Sequence, residues 1–494
     1  MMFTIHGKRK LTALLLITAM ISGCGGNTLT PTPANAGNDT ENITAMLEAP
    51  EIAYDKTPMH PSILVDLKGY DVKGNKIAVI EAPILPSIFK VVDKESGAIV
   101  MSGNVKVREC GEDGEEYTGN ADFTGITEPG TYYIEADLIG RSNDFEICEN
   151  KYALLASEYL KKLSDLKVST LMSLEVPLED DANVKIEVSG GWITGEDSRK
   201  DVCEACLAIQ DILTGMEYFP SAFGDDAGLE YSGNGIPDIL DEAMAETEWL
   251  FKMQNKETGG VYTAVSLIKD ETSGTESYMV MGETTRATAY YCATMARMSY
   301  MVKKYDPEFS KRCIEAANIS WKCLEANTEL VDPAQMFRAA TEMYRATGYG
   351  IYSDVINSFL KDNADKEFDG RLVLDGAVVY MSSSRSTDVG YCTALMESFM
   401  SRTEDKSNSA RASRYMVEQG DREVSVLLRN LMEIMVADYI ISNQEYKNIE
   451  EDYVHYMCGR NPECEIYCEG ITTPDMYVQF IVPLYRLSLL YADK

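Results

Sequence analysis

The sequence predicts a multidomain chain of two fold classes, a small antiparallel β-sandwich followed by an all-helical toroid of paired helices. Three observations predict this. Between about Ala49 and Cys148, short alternating or β-branched runs ("SILVDL", "KIAVIEA", "SIFKVVD", "AIVMSG", "TYYIEAD") are separated by Gly- and Pro-bearing turns, the pattern of strands with one buried face. From Lys151 onward the apolar residues recur at spacings of three and four instead, the period of helices that bury one stripe. The composition of the 494 residues, 45% hydrophobic and 25% charged, supplies a sizeable core, and the length suggests about two to four domains.

Taken in order, the chain opens with Lys8, Arg9 and Lys10 ahead of the apolar run "LTALLLITAM", which is shorter than a membrane-spanning helix needs. Ile21-Ser22-Gly23-Cys24 follows and resembles a bacterial lipobox. That resemblance implies cleavage before Cys24 and acylation of Cys24, which would tether the protein outside the membrane at the bacterial cell surface. Residues 1–23 are therefore expected to be a lipoprotein signal peptide. Residues 24–48, rich in Pro, Thr, Asn and Gly, read as a flexible tether. The sandwich is assigned to residues 49–150 and the helical domain to residues 151–494.

Within the sandwich, "DFTGITEPGTYYIEADLIGRSNDFEI" is the most specific stretch. The turn Glu128-Pro129-Gly130 leads into a strand where Thr131, Tyr133 and Glu135 alternate with Tyr132, Ile134 and Ala136. The helical part reads as about eleven helices, among them "KYALLASEYLKKL", "VCEACLAIQDILTGMEYF", "TTRATAYYCATMARMSYMVKKY" and "YVQFIVPLYRLSLLYA". Pro237 after "SGNG" marks a helix start, and Asp238, Asp241 and Glu242 suit the positive end of its dipole.

Charge excludes one class of partner. With 79 acidic against 45 basic residues and a net charge of −34, the surface repels phosphate backbones, so no nucleic acid is expected. Neutral glycans are compatible with that field. Cys203 and Cys206 form a CxxC, and Cys458, Cys464 and Cys468 cluster near the end. With only His60 and His455 beyond the signal segment, these cysteines read as packing residues rather than metal ligands, and no metal or cofactor is expected.

Several stretches together resemble glycoside hydrolase family 9, the cellulases and related β-glucan hydrolases. "SGGWITGEDSRKDV" is similar to that family's SGGW-x-DAGD-x-x-K-x-V loop. "GNGIPDILDEAMAETEWLFKMQ", "KYDPEFSKRCIEAANISWKCLEA", "AATEMYRATG" and "YMCGRNPECEIYCEG" resemble further blocks in the same order. The sandwich resembles the immunoglobulin-like module that precedes many such catalytic domains. The resemblance implies an (α/α)6 barrel with an open cleft for a β-linked polysaccharide or oligosaccharide. It also implies inversion by two carboxyl groups roughly 6.5–9.5 Å apart, drawn from distant parts of the sequence.

Residue by residue, the resemblance puts Asp197 at the general base. Thr194 stands where the family has a first acid, and its hydroxyl can hold a water without adding negative charge. Glu196 is the adjacent carboxylate that could compensate. Counting back from Pro483-Leu484 reaches Asp475, within one residue of the family's glutamic acid and one methylene shorter. After Thr472-Thr473-Pro474, Asp475 also reads as a helix-start residue. Trp192 and Tyr262 are the candidate substrate-binding aromatics, Trp192 either stacking on a sugar or packing the loop. The family's His-x-Arg sugar clamp is missing, since "CEGITTPD" runs straight through, and Thr263-Ala264 replace the His-Lys that usually follows the tyrosine. Three readings stay open: an inverting β-1,4-glucan hydrolase of weak or altered activity, a non-catalytic glycan-binding pseudoenzyme, and an interaction protein reusing the scaffold.

Overall fold

The computed structural model describes residues 60–109, 117–167, 175–195, 198–269, 274–363, 368, 370–418 and 423–492. The signal segment, the tether and Cys24 lie outside them. The first described part is a two-sheet sandwich of ten strands: β1 (Ile63–Leu64), β2 (Tyr70–Asp71), β3 (Ile77–Ala82), β4 (Ile88–Asp93), β5 (Ile99–Asn104), β6 (Lys106–Glu109), β7 (Tyr117–Asp122), β8 (Gly130–Ala136), β9 (Gly140–Arg141) and β10 (Phe145–Cys148). One sheet has the order β1-β3-β7-β6, and the other β2-β10-β8-β4-β5 with β9 on β8. Only the β2–β10 pair is parallel among them.

Alternation does the work that the sequence suggested. In β8, Tyr132, Ile134 and Ala136 are buried while Tyr133 and Glu135 are not. Between the sheets Tyr70 meets Phe123 and Phe145 edge-on at 5.2 and 5.4 Å, aromatic geometry that adds to plain area burial. Strand β7, "YTGNAD", has little β-propensity of its own. Its place is set by pairing with β3 and β6 and by Gly119, where a Cβ would come within 2.6 Å of Val105 Cγ1.

Twelve α-helices follow among the described residues: α1 (Lys151–Asp165), α2 (Val202–Tyr218), α3 (Asp238–Lys252), α4 (Thr285–Met301), α5 (Pro307–Ala326), α6 (Pro333–Thr347), α7 (Gly350–Asp362), α8 (Arg371–Ser382), α9 (Val389–Ala412), α10 (Val424–Ile440), α11 (Gln444–Met457) and α12 (Pro474–Tyr491). The even-numbered helices pack in the ring α2–α4–α6–α8 and, on the other side, α2–α12–α10. The Arg429–Asp375 pair, at 2.8 Å, closes it between α10 and α8. The odd-numbered helices lie outside. Burial explains the difference: α2 buries residues on every side, whereas α7 buries only Tyr352, Ile356 and Leu360, one stripe at spacing four. This is the (α/α)6 barrel.

Short strands decorate one end of the ring. β11 (Glu175–Pro177) and β12 (Lys185–Glu187) make a hairpin, β13 (Lys200–Asp201) pairs with β15 (Ala264–Lys269), which pairs with β16 (Glu276–Val280), and β14 (Val261–Tyr262) pairs with β17 (Glu283–Thr284).

Residues His60 to Lys494 form one compact unit, and specific polar contacts hold sandwich to barrel. His455 of α11 meets Asp66 Oδ2 through Nδ1 at 2.7 Å and the Asn75 carbonyl through Nε2 at 3.1 Å. Glu451, one turn earlier, accepts from the Asn75 amide and from the Tyr152 hydroxyl. Arg460 donates to the Ile77 carbonyl at 3.2 Å and to Asp452 at 2.8 Å. Its "GRNP" segment is therefore a domain joint. Cys203 and Cys206 are buried in α2, and burial pushes Cys203 up to about 12, the behaviour of packed thiols.

Candidate active site

The helix ring has a mouth where the even helices begin. Arg371, the first residue of α8, reaches Asp475 in the first turn of α12 and Asp211 on α2. These contacts bring helix starts from distant parts of the sequence to one end. Capping fixes two of these starts: Asp201 Oδ1 accepts from the Cys203 and Glu204 amides at the head of α2 (2.9 and 3.2 Å), and Thr473 caps α12. With Thr473 as the cap, Asp475 is not needed to begin the helix.

The segment leading into α2 is held from beneath. Gly190 and Gly191 take φ of +77° and +79°, a region that glycine alone enters without strain. A Cβ on Gly191 would lie 2.7 Å from the Trp249 ring. The Trp192 amide donates to Glu246 at 2.7 Å and its indole Nε1 to Glu242 at 3.4 Å, while Lys167 pairs with Glu242 at 2.6 Å. Buried Lys200 donates to the Val188 and Gly190 carbonyls. Burial pushes the Glu246 carboxyl up to about 8 and the Lys200 ammonium down to about 8. Further along, the Thr194 amide and hydroxyl both donate to the Arg199 carbonyl (2.7 and 3.0 Å), and the hydroxyl accepts from the Asp201 amide at 3.1 Å. These bonds close the neck of the segment that carries Glu196 and Asp197, two residues outside the described set.

The aromatic expectation for Trp192 is corrected. Its ring is fully buried among Glu242, Glu246 and the α3 side chains, so it offers no face to a sugar and acts as the peg of the loop. Tyr262 in β14 is largely buried and keeps a small exposed edge. Burial, then the Glu283 carboxylate, raise its hydroxyl above the usual tyrosine range. Thr194 spends its hydroxyl on the neck of the loop.

Asp475 is gripped. Arg371 donates to both its oxygens at 2.6 and 2.8 Å, and Gln479 donates to Oδ2 at 3.2 Å. The same guanidinium donates to Asp211 at 2.7 Å. Although burial works against the charge, Asp211 and Asp475 hold the Arg371 guanidinium well above its ordinary range. Below this bridge the barrel axis is filled with ion pairs, Arg429 with Asp375, Arg338 with Glu342 (2.9 Å) and Arg297 with Glu217 (3.1 Å). A cavity of about 30 Å³ lies among Asp211, Arg297, Asp375 and Arg429, room for about one water.

Two groups at the mouth escaped the sequence reading. Arg371 begins a helix, "RLVLDGAVVYMS", whose β-branched residues and internal Gly376 obscure its period; Gly376 is needed because a Cβ there would meet Phe337 at 2.7 Å. Glu204 looks like an ordinary first-turn acid of α2, yet burial, then the carboxylates of Asp475 and Asp201, raise its carboxyl above the ordinary range while Arg371 and Arg286 pull the other way.

Residues 157–479 match the family model described as glycosyl hydrolase family 9, and residues 59–141 match the one described as cellulase N-terminal ig-like domain. Endoglucanase D of Acetivibrio thermocellus is 25% identical over 437 residues, covering 78% of this chain and 69% of that one. A cellodextrinase of Butyrivibrio fibrisolvens is 25% identical over 479 residues, covering 83% and 84%. Among solved structures, a Bacteroides ovatus GH9 protein superposes with a TM-score of 0.75 at 17% identity, covering 87% of this chain and 99% of that one. A metagenome-derived glycoside hydrolase family 9 endoglucanase gives 0.75 at 20%, covering 86% and 98%. At these identities the structural likeness establishes the fold.

Proposed function

The chain belongs to glycosyl hydrolase family 9 and carries the cellulase-type immunoglobulin-like module ahead of its catalytic domain; on that premise we propose that it hydrolyses β-1,4-linked glucan chains with inversion, at reduced rate, on the bacterial cell surface. Asp197 is the base that takes a proton from the attacking water. Asp475 is the residue that the family resemblance assigns to the acid. The cellulase-type activities named for the relatives, an endoglucanase and a cellodextrinase, support the substrate class. A lipid on Cys24 supplies the anchor in this reading.

One observation carries the proposal: the neck braced at Thr194 runs into the head of α2, which packs against α12, the helix with Asp475 in its first turn. A second reading, a glycan-binding pseudoenzyme, is favoured by the Arg371 bridge, which occupies both oxygens of Asp475. Reducing-sugar release from soluble β-glucans by the chain starting at Cys24, beside Asp197→Asn and Asp475→Asn, separates the two. Slow release abolished by Asp197→Asn is expected. Glycan binding with no release by the unaltered chain would refute hydrolysis and leave the pseudoenzyme.

A further inference from the structure

The chain between α11 and α12 brings two cysteines together. Cys458 caps the end of α11: its amide donates to the Val454 and His455 carbonyls at 3.0 and 3.2 Å, and its own carbonyl accepts from the Leu67 amide of the sandwich at 2.8 Å. Cys468 lies ten residues on, in the short turn Tyr467–Gly470 that precedes α12. Between them Asn461 folds the segment back. Its side-chain amide donates to the Tyr456 and Glu465 carbonyls at 2.8 and 2.6 Å, and its Oδ1 accepts from the Glu465 amide at 3.1 Å. The two sulfurs come to 3.7 Å, and both side chains are buried. Of the ten described cysteines, these two alone hydrogen-bond sulfur to sulfur.

The sandwich rests on both ends of this fold-back. Its turn from Asp66 to Gly69 is closed by the Lys68 and Gly69 amides, which donate to Asp66 Oδ1 at 2.7 and 2.9 Å. That turn places Leu67 on the Cys458 carbonyl and the Lys68 ammonium 3.0 Å from Glu469, the neighbour of Cys468. A Cβ on Gly459 would lie 2.6 Å from Leu67 Cγ, so turn and barrel are in close contact there.

We infer that Cys458 and Cys468 are a disulfide-forming pair, and that the bond between them clamps the seat of the sandwich on the barrel. Closing the gap from 3.7 Å to a bond of about 2.0 Å asks each sulfur to move by less than about 1 Å. The oxidant is an external disulfide. One cysteine thiolate attacks it, forms a mixed disulfide and expels one thiolate; the other cysteine then attacks the mixed disulfide, expels the second thiolate and closes the bond. The two cysteines give up two electrons and two protons, and the oxidant leaves as two thiols. Only a thiolate reacts this way, and burial holds the Cys458 thiol well above its usual range. The exchange therefore belongs to folding, before the segment closes, and afterwards the same burial shields the bond from reductants.

The test folds the full chain either with a mixture of reduced and oxidised glutathione or with dithiothreitol, blocks free thiols with iodoacetamide, and maps unreduced tryptic peptides by mass spectrometry. In the glutathione sample the peptides 448–460 and 461–486 should be joined, and in the dithiothreitol sample they should be separate and alkylated. Because Cys464 shares the second peptide, Cys464→Ser should keep the link and Cys468→Ser should lose it. The linked protein should melt about 2–3 °C above the dithiothreitol sample, the rise expected for a loop this short in a chain this long, and Cys468→Ser should show no such rise. Recovery of Cys458 and Cys468 as alkylated thiols from the glutathione sample would overturn the pairing, as would a link that survives Cys468→Ser and is lost in Cys464→Ser. A link with no rise in the midpoint would overturn the clamp.

Discussion

Replacing Gly191 by alanine, with Gly190→Ala beside it, separates backbone strain from packing at the loop that leads to the proposed base. Both glycines hold nearly the same φ, +77° and +79°, so each alanine bears about 1–2 kcal/mol for the left-handed conformation. They differ in what the new methyl meets. At Gly190 there is open space within 4 Å, whereas at Gly191 the methyl would sit 2.7 Å from two atoms of the Trp249 ring. Trp249 is itself fully buried and cannot swing aside, so overpacking adds roughly 1–3 kcal/mol. For a chain of this length about 1 kcal/mol moves the thermal midpoint by roughly 1 °C. Gly190→Ala should therefore lower the midpoint by about 1–2 °C and Gly191→Ala by about 2–5 °C. Hydrolysis should discriminate more sharply, because a displacement near 1 Å at a catalytic group can reduce the rate about 100-fold. Equal midpoints for the two variants would refute the claim that the Trp249 contact brings the chain into the loop.

Two other substitutions test the polar framework. Glu246→Gln keeps an acceptor for the Trp192 amide and removes the ionisation; since burial raises the folded-state carboxyl to about 8, its penalty is absent below the ordinary glutamate range, grows as pH rises and is complete above about 8. The variant should melt with the unaltered protein near pH 4.5 and above it at pH 9, where the buried Lys200 amine, pushed down to about 8, is also neutral; a gain on the order of 4 kcal/mol is expected, and coincident melting at both pH values would contradict the buried-acid picture. Arg371→Met strips Asp475 and Asp211 of their shared cation and should destabilise by about 3–5 kcal/mol, read as a lower midpoint, whereas Asp475→Asn should lower it less because Arg371 keeps Asp211; the reverse order would mean that the bridge does not organise the mouth.

What could be read from the sequence depended on how local its cause was. The strand alternation of β8 and the loop "SGGW" are set by nearby residues, and both are found where the pattern put them. Strand β7 and helix α8 are set from a distance, β7 by its two partner strands and α8 by the Phe337 ring against Gly376. Neither carries a clear period. The same division runs through the site. Asp475 was reachable by register, yet its state is fixed by Arg371, which is remote in sequence and has no motif around it. Trp192 was recognisable as the loop's anchor, while its burial depends on α3 carboxylates that a linear reading assigns only to a helix start.

The energetic pattern around the mouth bears on which reading is stronger. On the Asp197 side the chain accepts several unfavourable features together: two glycines at positive φ, a buried ammonium on Lys200, and a buried Glu246 whose Oε1 has no partner among the described residues. Strain of this kind persists only where the surroundings over-determine it, and it gathers where a loop must be held in one shape. A barrel kept only as a scaffold could relax such a loop and gain stability. On the Asp475 side the arrangement is the opposite, a bidentate ion pair with the polar atoms of Asp475 satisfied. The neck before the proposed base is thus held in one shape, and Asp475 sits in a satisfied ion pair. Of the two proposed readings, the braced neck before the proposed base favours hydrolysis, and the bridge that occupies both oxygens of Asp475 favours a glycan-binding pseudoenzyme.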